Sequence, residues 1–248
     1  MKKIEIIPLN NIPKININDD IPSIIIKALK SQKLKLEEND ILVVAHKIIS
    51  ISEDCFFNLE NIKVSRKAKD LSRKIKKDEK FCQLILDNAK RIIKVSKGVI
   101  VTENKLGIIT ANSGIDQSNI QFKGMALLLP KNPDNSARRI SMEIKKQTNL
   151  RVPVIISDSI GRPWRLGLNQ IAIGSYGVKP IKKYKKDLYK NKLSNTEVPI
   201  IDELSSAAGI LMQKDDGIPV VLIRGYNYIS STAKARVLLR GKQDDIFR

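Results

Sequence analysis

Two short stretches of the chain carry side chains that could do chemistry. In the first, GIITANSGIDQSN, a predicted strand runs into a loop of small residues that holds Asn112, Asp116, Ser118 and Asn119. Small residues let backbone N–H groups approach an anion, and a carboxylate such as Asp116 can hold a cation. An Asx-rich turn with a purely structural role is the alternative interpretation.

The second stretch, VPVIISDSIGRPWR, follows a predicted buried strand with polar side chains. Asp158 and Ser159 come directly after the apolar run, so we expect them in a crevice at the end of a sheet. Arg162 and Arg165 follow a few residues later. A carboxylate and a hydroxyl for a metal, next to two guanidinium groups for phosphates, would suit phosphoryl transfer. A capped turn packed by Trp164 is the alternative.

The familiar nucleotide and hydrolase motifs are missing. The sequence has no GxxxxGK[ST] phosphate loop, no GxGxxG dinucleotide motif and no GxSxG elbow. Its 1 histidine, His46, and 2 cysteines, Cys55 and Cys82, are too few for a His-rich zinc site and form no C-x-x-C pair. Any bound metal should therefore be a hard cation held by oxygen ligands.

The charge of the chain favours an anionic partner. The 248 residues include 45 Lys and Arg against 26 Asp and Glu, a formal net charge of +19. The basic residues are spread along the chain and aromatic residues make up only 4%, which disfavours stacking on single strands. We expect an electropositive site for a small anionic substrate, and a basic nucleic-acid-binding protein is the non-enzymatic alternative. Without a membrane-spanning run or a signal peptide, we expect a cytoplasmic protein.

The elements that must position these residues alternate between strand and helix. Predicted strands cover residues 2–8, 41–50, 98–102, 107–111, 124–129, 152–157, 170–174 and 219–223. Predicted helices cover residues 21–32, 65–77, 79–94 and 196–213, and a further helix carries Ala137, Ile140 and Ile144 after a cap at Asp134 or Asn135. The lysine-rich stretch 179–192 is expected to be a loop. The pattern predicts a mixed α/β (α+β) fold, a single domain over residues 1–248 with two interlocked lobes.

Nine motifs, in order along most of the chain, resemble one family. They are NNIPKI, DILVVAHKIIS, NSGIDQSN, LLLPKNPDNSARRI, ISDSIGRPWR, AIGSYGV, DLY, DELSSAAGILM and DGIPVVLIRG. In these motifs the sequence resembles the coenzyme F420-0:L-glutamate ligases, the γ-glutamyl ligases of deazaflavin cofactor biosynthesis.

The resemblance implies an amide-forming ligase that uses GTP as co-substrate. It implies that L-glutamate is joined to the terminal carboxylate of coenzyme F420-0 through an acyl phosphate. The cofactors that it implies are Mg²⁺ or Mn²⁺ and a monovalent cation, and the assembly is an intertwined homodimer. The implied partners are the deazaflavin substrate and glutamate, with no nucleic acid and no membrane. A related carboxylate–amine ligase with a different acceptor is the enzymatic alternative.

The resemblance also implies roles for individual residues. The implied metal ligands are Asp116, Asp158, Ser159 and Gln213, and the implied catalytic set is Asp116 and Asp158 with Arg162 and Arg165. The implied nucleotide contacts are Ile12, Pro13, Lys14, Ile15, His46, Lys47, Asn119, Met212, Gln213, Lys214, Asp215, Asp216, Gly217 and Ile218. For His46, a hydrogen-bonded structural role is the alternative. Two positions depart from the family: Ile51 stands where a lysine is usual, and Lys214 cannot ligate a metal.

Overall fold

The computed structural model describes residues 3–118, 124–241 and 243–245. Its helices are α1 (Ile21–Ser31), α2 (His46–Ser52), α3 (Arg66–Ile75), α4 (Glu79–Asn88), α5 (Pro133–Thr148) and α6 (Ile200–Gly209). Its strands are β1 (Glu5–Pro8), β2 (Ile41–Ala45), β3 (Phe56–Asn58), β4 (Ala89–Ser96), β5 (Val99–Asn104), β6 (Ile109–Ala111), β7 (Met125–Leu127), β8 (Val154–Arg162), β9 (Arg165–Tyr176), β10 (Ile181–Lys186), β11 (Lys192–Pro199) and β12 (Val220–Arg224). The predicted mixed α/β class is confirmed.

A five-stranded mixed sheet with the order β1-β12-β2-β8-β9 carries the main core. The central strands β2 and β8 run parallel, with Leu42 opposite Val154, and all other neighbours are antiparallel. Helices cover both faces of the sheet, so the four β2 residues 41–44 are fully buried. Such burial on both faces explains the continuous apolar run ILVVA.

Helix α5 shows how local sequence builds one of these layers. The Asn132 side chain accepts the N–H of Asn135 as the N-cap, Pro133 starts the first turn, and Asn149 ends the helix in the left-handed conformation. Ala137, Ile140 and Ile144 share one buried face against the sheet. The cap therefore lies at Asn132, not at Asp134 or Asn135 as predicted. The Asp134 carboxylate instead accepts the backbone N–H groups of Ser175 and Ala235, each at 2.9 Å.

Residues 56–127, which we call the inserted region, lie in the chain between β2 and β8 and have a core of their own. Helices α3 and α4 pack there against short strands, burying residues such as Leu71, Phe81 and Ile100. The predicted division into two lobes stays a prediction. Interlocking of the lobes and an intertwined dimer stay predictions.

Several predicted boundaries are wrong. The strand predicted over 41–50 stops at Ala45, where α2 begins. Since β2 and α2 are both apolar and buried, no change of pattern marks the junction. The helix predicted to residue 94 ends at Asn88, and Ile92 lies on β4, paired with Thr102 of β5. Helix α6 begins at Ile200 rather than at residue 196.

The lysine-rich stretch predicted as a loop forms the hairpin of β10 and β11. The two strands pair from Ile181 opposite Pro199 to Lys186 opposite Lys192. Most of their side chains are exposed on both faces. The sequence therefore lacks the alternation of apolar and polar residues that would predict these strands. None of the described helices could cross a membrane, and α5, with 16 residues, is mostly polar.

Candidate functional site

A cleft of about 920 Å³ opens at one edge of the main sheet. The carboxyl ends of the mutually parallel strands β1, β2 and β8 meet the amino end of β12 at this edge. The residues that follow β1 and β2, residues 157–159 of β8 and the loop before β12 therefore line the cleft. This is where an open sheet commonly places its ligand.

Asp158 reaches the cleft from β8, next to the first residue of α2. The imidazole Nε2 of His46 lies 3.2 Å from Asp158 Oδ1, and its Nδ1 lies 3.4 Å from Ser50 Oγ. An Nε2–H tautomer can donate to the carboxylate while Nδ1 accepts from the serine hydroxyl. His46 is 7% exposed and is hydrogen-bonded, as the structural interpretation expects, and it also lines the cleft. Its contact with a nucleotide stays a prediction.

Asp116 reaches the cleft from the inserted region, on a tightly fixed turn. Asn112, Ser113 and Gly114 all have positive φ, at 52°, 59° and 74°. The first two are uncommon for residues with a side chain, and a Cβ on Gly114 would lie 2.7 Å from Leu129 Cδ1. Ser113 Oγ donates to the Ile85 carbonyl at 3.0 Å. The NSGID motif therefore holds the Asp116 carboxylate in a fixed position.

Donors of the chain itself contact both oxygens of the Asp116 carboxylate. Its Oδ1 accepts both the backbone N–H and the hydroxyl of Ser118 at 2.7 Å, and Lys47 Nζ lies 2.7 Å from Oδ2. Burial alone raises the pKa of Asp116, but the hydrogen bonds from Lys47 and Ser118 outweigh it, and the net pKa is lowered. Asp116 is therefore ionised at neutral pH.

Ser159 is held from the neighbouring strand by Gln170, a residue that the sequence analysis missed. Gln170 Nε2 donates to Ser159 Oγ at 3.0 Å, and the two residues are opposite each other in the β8–β9 pair. Ser206 of α6 donates to the Gln170 carbonyl at 3.0 Å. The DELSSAAG motif thus anchors this part of β9. Cross-strand register would have revealed Gln170, but register is not readable from one predicted strand.

Most of the predicted site residues line this one cleft. They are Ile12, Pro13, Lys14, Ile15, His46, Lys47, Asp116, Asp158, Ser159, Met212, Gln213, Lys214, Gly217 and Ile218. Ile51, at the position that departs from the family, lines it as well. Asp215 and Asp216 belong to the same loop as Gln213 but are not part of the lining. Asn119 lies outside the described residues.

Arg162 and Arg165 are not brought to the cleft. They face each other where β8 turns into β9, both exposed, and Arg162 donates only to the Leu166 carbonyl at 3.4 Å. The expected crevice position rested on a strand ending at residue 157. Because β8 continues to Arg162, the arginines are carried away from Asp158 along the strand.

The oxygen donors that line the cleft are of the kind that could hold a hard divalent cation. Two carboxylates, the Ser159 hydroxyl and the Gln213 amide line the same space. In the described part of the chain, no three His, Cys, Asp or Glu residues cluster as a metal cage. Mg²⁺ characteristically takes one or two carboxylates and completes its shell with water and phosphate oxygens.

The thiols are placed away from this chemistry. Neither Cys55 nor Cys82 lines the cleft, and both are buried. Burial raises the pKa of both thiols, which keeps them protonated and poorly nucleophilic.

Fold and cleft together define a mixed α/β protein whose sheet edge brings carboxylates and lysines into one cleft. The chain belongs to the F420-0:Gamma-glutamyl ligase family, whose sequence model matches residues 10–225. It is 49% identical over 216 residues to the coenzyme F420:L-glutamate ligase of Methanocaldococcus jannaschii, covering 86% of either chain.

Two further relatives match over nearly their whole length. The coenzyme F420:L-glutamate ligase of Methanothermobacter thermautotrophicus is 39% identical over 250 residues, 99% of either chain. That of Methanopyrus kandleri is 36% identical over 253 residues, 99% of this chain and 97% of the relative. The predicted family resemblance is confirmed.

Proposed function

We propose that this protein is a ligase that joins the amine of L-glutamate to the terminal carboxylate of coenzyme F420-0. The observation that carries the proposal is the cleft, where predicted site residues from five separate segments of the family match come together. The relatives that bear the name coenzyme F420:L-glutamate ligase match over at least 86% of this chain.

Amide formation from a carboxylate needs activation, because a carboxylate oxygen is a poor leaving group. We propose that the γ-phosphoryl group of GTP is transferred to the acceptor carboxylate. The resulting acyl phosphate is then attacked by the amine, releasing phosphate. A bound Mg²⁺ or Mn²⁺ would neutralise phosphate oxygens during the transfer.

The residues of the cleft are suited to position these anions. Asp116, Asp158, Ser159 and Gln213 are the oxygen donors that would hold the divalent cation. Lys14, Lys47 and Lys214 bring positive charge to the same cleft, and the whole chain is strongly basic, which attracts anionic substrates. No thiol is available for a covalent acyl-enzyme, since both cysteines are buried elsewhere. A monovalent cation belongs to the same proposal.

The products of the reaction test this function. Incubation with F420-0, glutamate, GTP and Mn²⁺ should yield a product heavier by one glutamyl residue, seen by mass spectrometry. With ¹⁸O in the acceptor carboxylate, one label should appear in the released phosphate. Pyrophosphate and GMP as products would rule out γ-phosphoryl activation. Turnover of another carboxylate acceptor, with none of F420-0, would establish the related ligase instead.

We also propose a homodimer. Two hairpin ends carry exposed apolar residues. Trp164, between β8 and β9, and Leu166, near the start of β9, are 79% and 98% exposed, and Leu188 and Tyr189, between β10 and β11, are 98% and 86% exposed. Exposed apolar residues grouped in this way are typical of an interface. Sedimentation should give a particle of twice the 27.9 kDa chain mass, and Leu166→Glu should shift it to the monomer. A monomeric wild-type protein at micromolar concentration contradicts the dimer.

A further inference from the structure

His46 and Lys47, two consecutive residues, each contact one of the two cleft carboxylates. The His46 imidazole lies against Asp158, whereas the Lys47 ammonium lies against Asp116. The Lys47 side chain is 25% exposed and that of Asp116 is 31% exposed. The pair is therefore partly shielded from water. A charged hydrogen bond is stronger in such a shielded position than on an open surface.

Lys47 occupies the oxygen that an incoming cation would need. Oδ1 of Asp116 already accepts two hydrogen bonds from Ser118, and Oδ2 is taken by Lys47. The ammonium also donates to the Ser118 carbonyl at 3.0 Å. A divalent cation that arrives alone must displace a positive charge from Asp116 and then remain close to it.

A nucleotide removes this conflict, because its phosphates give the displaced ammonium a new anionic partner. We infer that Lys47 couples cation binding to nucleotide binding, so that Asp116 binds the cation tightly only when a triphosphate draws the ammonium away. This inference rests on the proposed function, since it needs a nucleotide and a divalent cation in the cleft. By thermodynamic reciprocity, the cation must then tighten the nucleotide by the same factor.

Lys14 is the matched comparison for Lys47. It lines the same cleft and carries the same charge, but the ion pair to Asp116 is made by Lys47. Removing Lys14 therefore lowers the positive charge of the cleft without freeing the carboxylate. A specific effect of Lys47 can be separated in this way from general electrostatics.

Direct Mn²⁺ binding tests the inference without turnover. Free Mn²⁺ is followed by its electron paramagnetic resonance signal, with and without a non-hydrolysable GTP analogue, in the wild type, Lys47→Met, Lys47→Arg and Lys14→Met. In the wild type we expect the analogue to tighten Mn²⁺ binding by about tenfold or more, the scale of one charged hydrogen bond.

Lys47→Met should bind Mn²⁺ alone about tenfold more tightly than the wild type and lose most of the gain from the analogue. Lys47→Arg should keep the gain, and Lys14→Met should bind Mn²⁺ alone within about twofold of the wild type. Thermal melting checks that all variants are folded.

Equal Mn²⁺ affinity of Lys47→Met and wild type without nucleotide overturns the inference, and so does an equal tightening in Lys14→Met. If such a protein still ligates glutamate, the proposed function stands and only the coupling is lost. If the wild type binds no Mn²⁺ even with the analogue, the proposed metal site and the coupling fall together.

Discussion

The two halves of the β8–β9 hairpin differ sharply in burial. In one half, residues 154–157 of β8 and 172–175 of β9 are buried between helices. In the other, residues 161–168 are exposed through the turn. Asp158 and Ser159 lie where the buried half ends and the cleft begins. The Asp158 carboxylate is thus supported by a packed sheet while its own side chain lines the cleft.

A motif that is contiguous in sequence therefore need not form a single site in the structure. Along an extended strand, the four steps from Asp158 to Arg162 span about 13 Å. Within the ISDSIGRPWR motif, Asp158 and Ser159 therefore line the cleft, whereas residues 161–165 form the exposed end of the hairpin. Variants in the two halves of the hairpin test that division.

Asp158→Asn should abolish most turnover while the fold remains. The amide keeps the shape of the side chain and can still accept from His46, but it loses the negative charge for the cation. We expect kcat/KM to fall by about a hundredfold or more, measured by product mass spectrometry. Asp70→Asn, the same change on the surface of α3, where the carboxylate is 48% exposed, is the control and should leave turnover near that of the wild type.

Gly174→Ala should destabilise the protein strongly, and Gly161→Ala hardly at all. A Cβ on Gly174 would lie 2.4 Å from the backbone carbon of Pro133, whereas a Cβ on Gly161 meets nothing within 4 Å. We expect a loss of about 2–4 kcal/mol in the free energy of unfolding for the first and about 0.5 kcal/mol or less for the second. Denaturant titration measures both. Similar values would mean that the two halves of the hairpin are packed alike.

The double variant Arg162→Ala/Arg165→Ala should lower kcat/KM by less than about tenfold, as for charges that act on substrate only at long range. Both arginines lie outside the cleft of their own chain. The same product assay applies, with sedimentation to follow the assembly. A loss as large as that of Asp158→Asn would bring the hairpin end into a cleft, including that of a second copy, and would remove the proposed division.

Asp202→Asn should give the smallest effect, a change in the pH dependence of stability. Asp202 holds the buried half of β9 by accepting the Ala172 N–H at 2.9 Å, and burial raises its pKa. Since the folded state disfavours the charged form, its contribution to stability is full below the usual pKa and is lost as the pH rises through the raised value.

The variant keeps the hydrogen bond without the charge. Relative to the wild type it should gain about 1 kcal/mol or less at neutral pH and nothing at pH 3. Thermal or urea unfolding at both values measures the difference. A variant that is less stable than the wild type at neutral pH would show that the charge helps to hold β9.

The sequence was sufficient for the parts of the fold whose burial pattern is strong. Strand β12 is apolar up to Arg224, and α1 and α5 carry one apolar stripe, so each was found with small boundary errors. Strand β2 was also found, but its predicted end ran five residues into α2. The β10–β11 hairpin was missed because its side chains point to solvent on both faces. Helix α4 was extended too far because Ile92 fits helical spacing, although Arg91 and Ile92 pair with β5.

The same contrast applies to the site. Asp116, Asp158 and the loop around Gln213 were found because they follow buried strands or belong to recognisable motifs. Gln170 was missed because its role depends on the register of β9 against β8, a long-range property. The contacts of His46 and Lys47 with the two carboxylates were equally unpredictable, since Asp116 comes from the inserted region and Asp158 from the main sheet.

The strand order also constrains how the chain is made. β1 pairs within the sheet only with β12, and β12 separates it from β2. During synthesis the apolar strand β2 is therefore complete long before its neighbour Val220–Arg224 exists. At roughly 5–20 residues per second, that interval lasts on the order of ten seconds or more. Throughout this interval β2 lacks its neighbour on the β12 side. A chain released before residue 220 lacks β12 and cannot complete the five-stranded sheet.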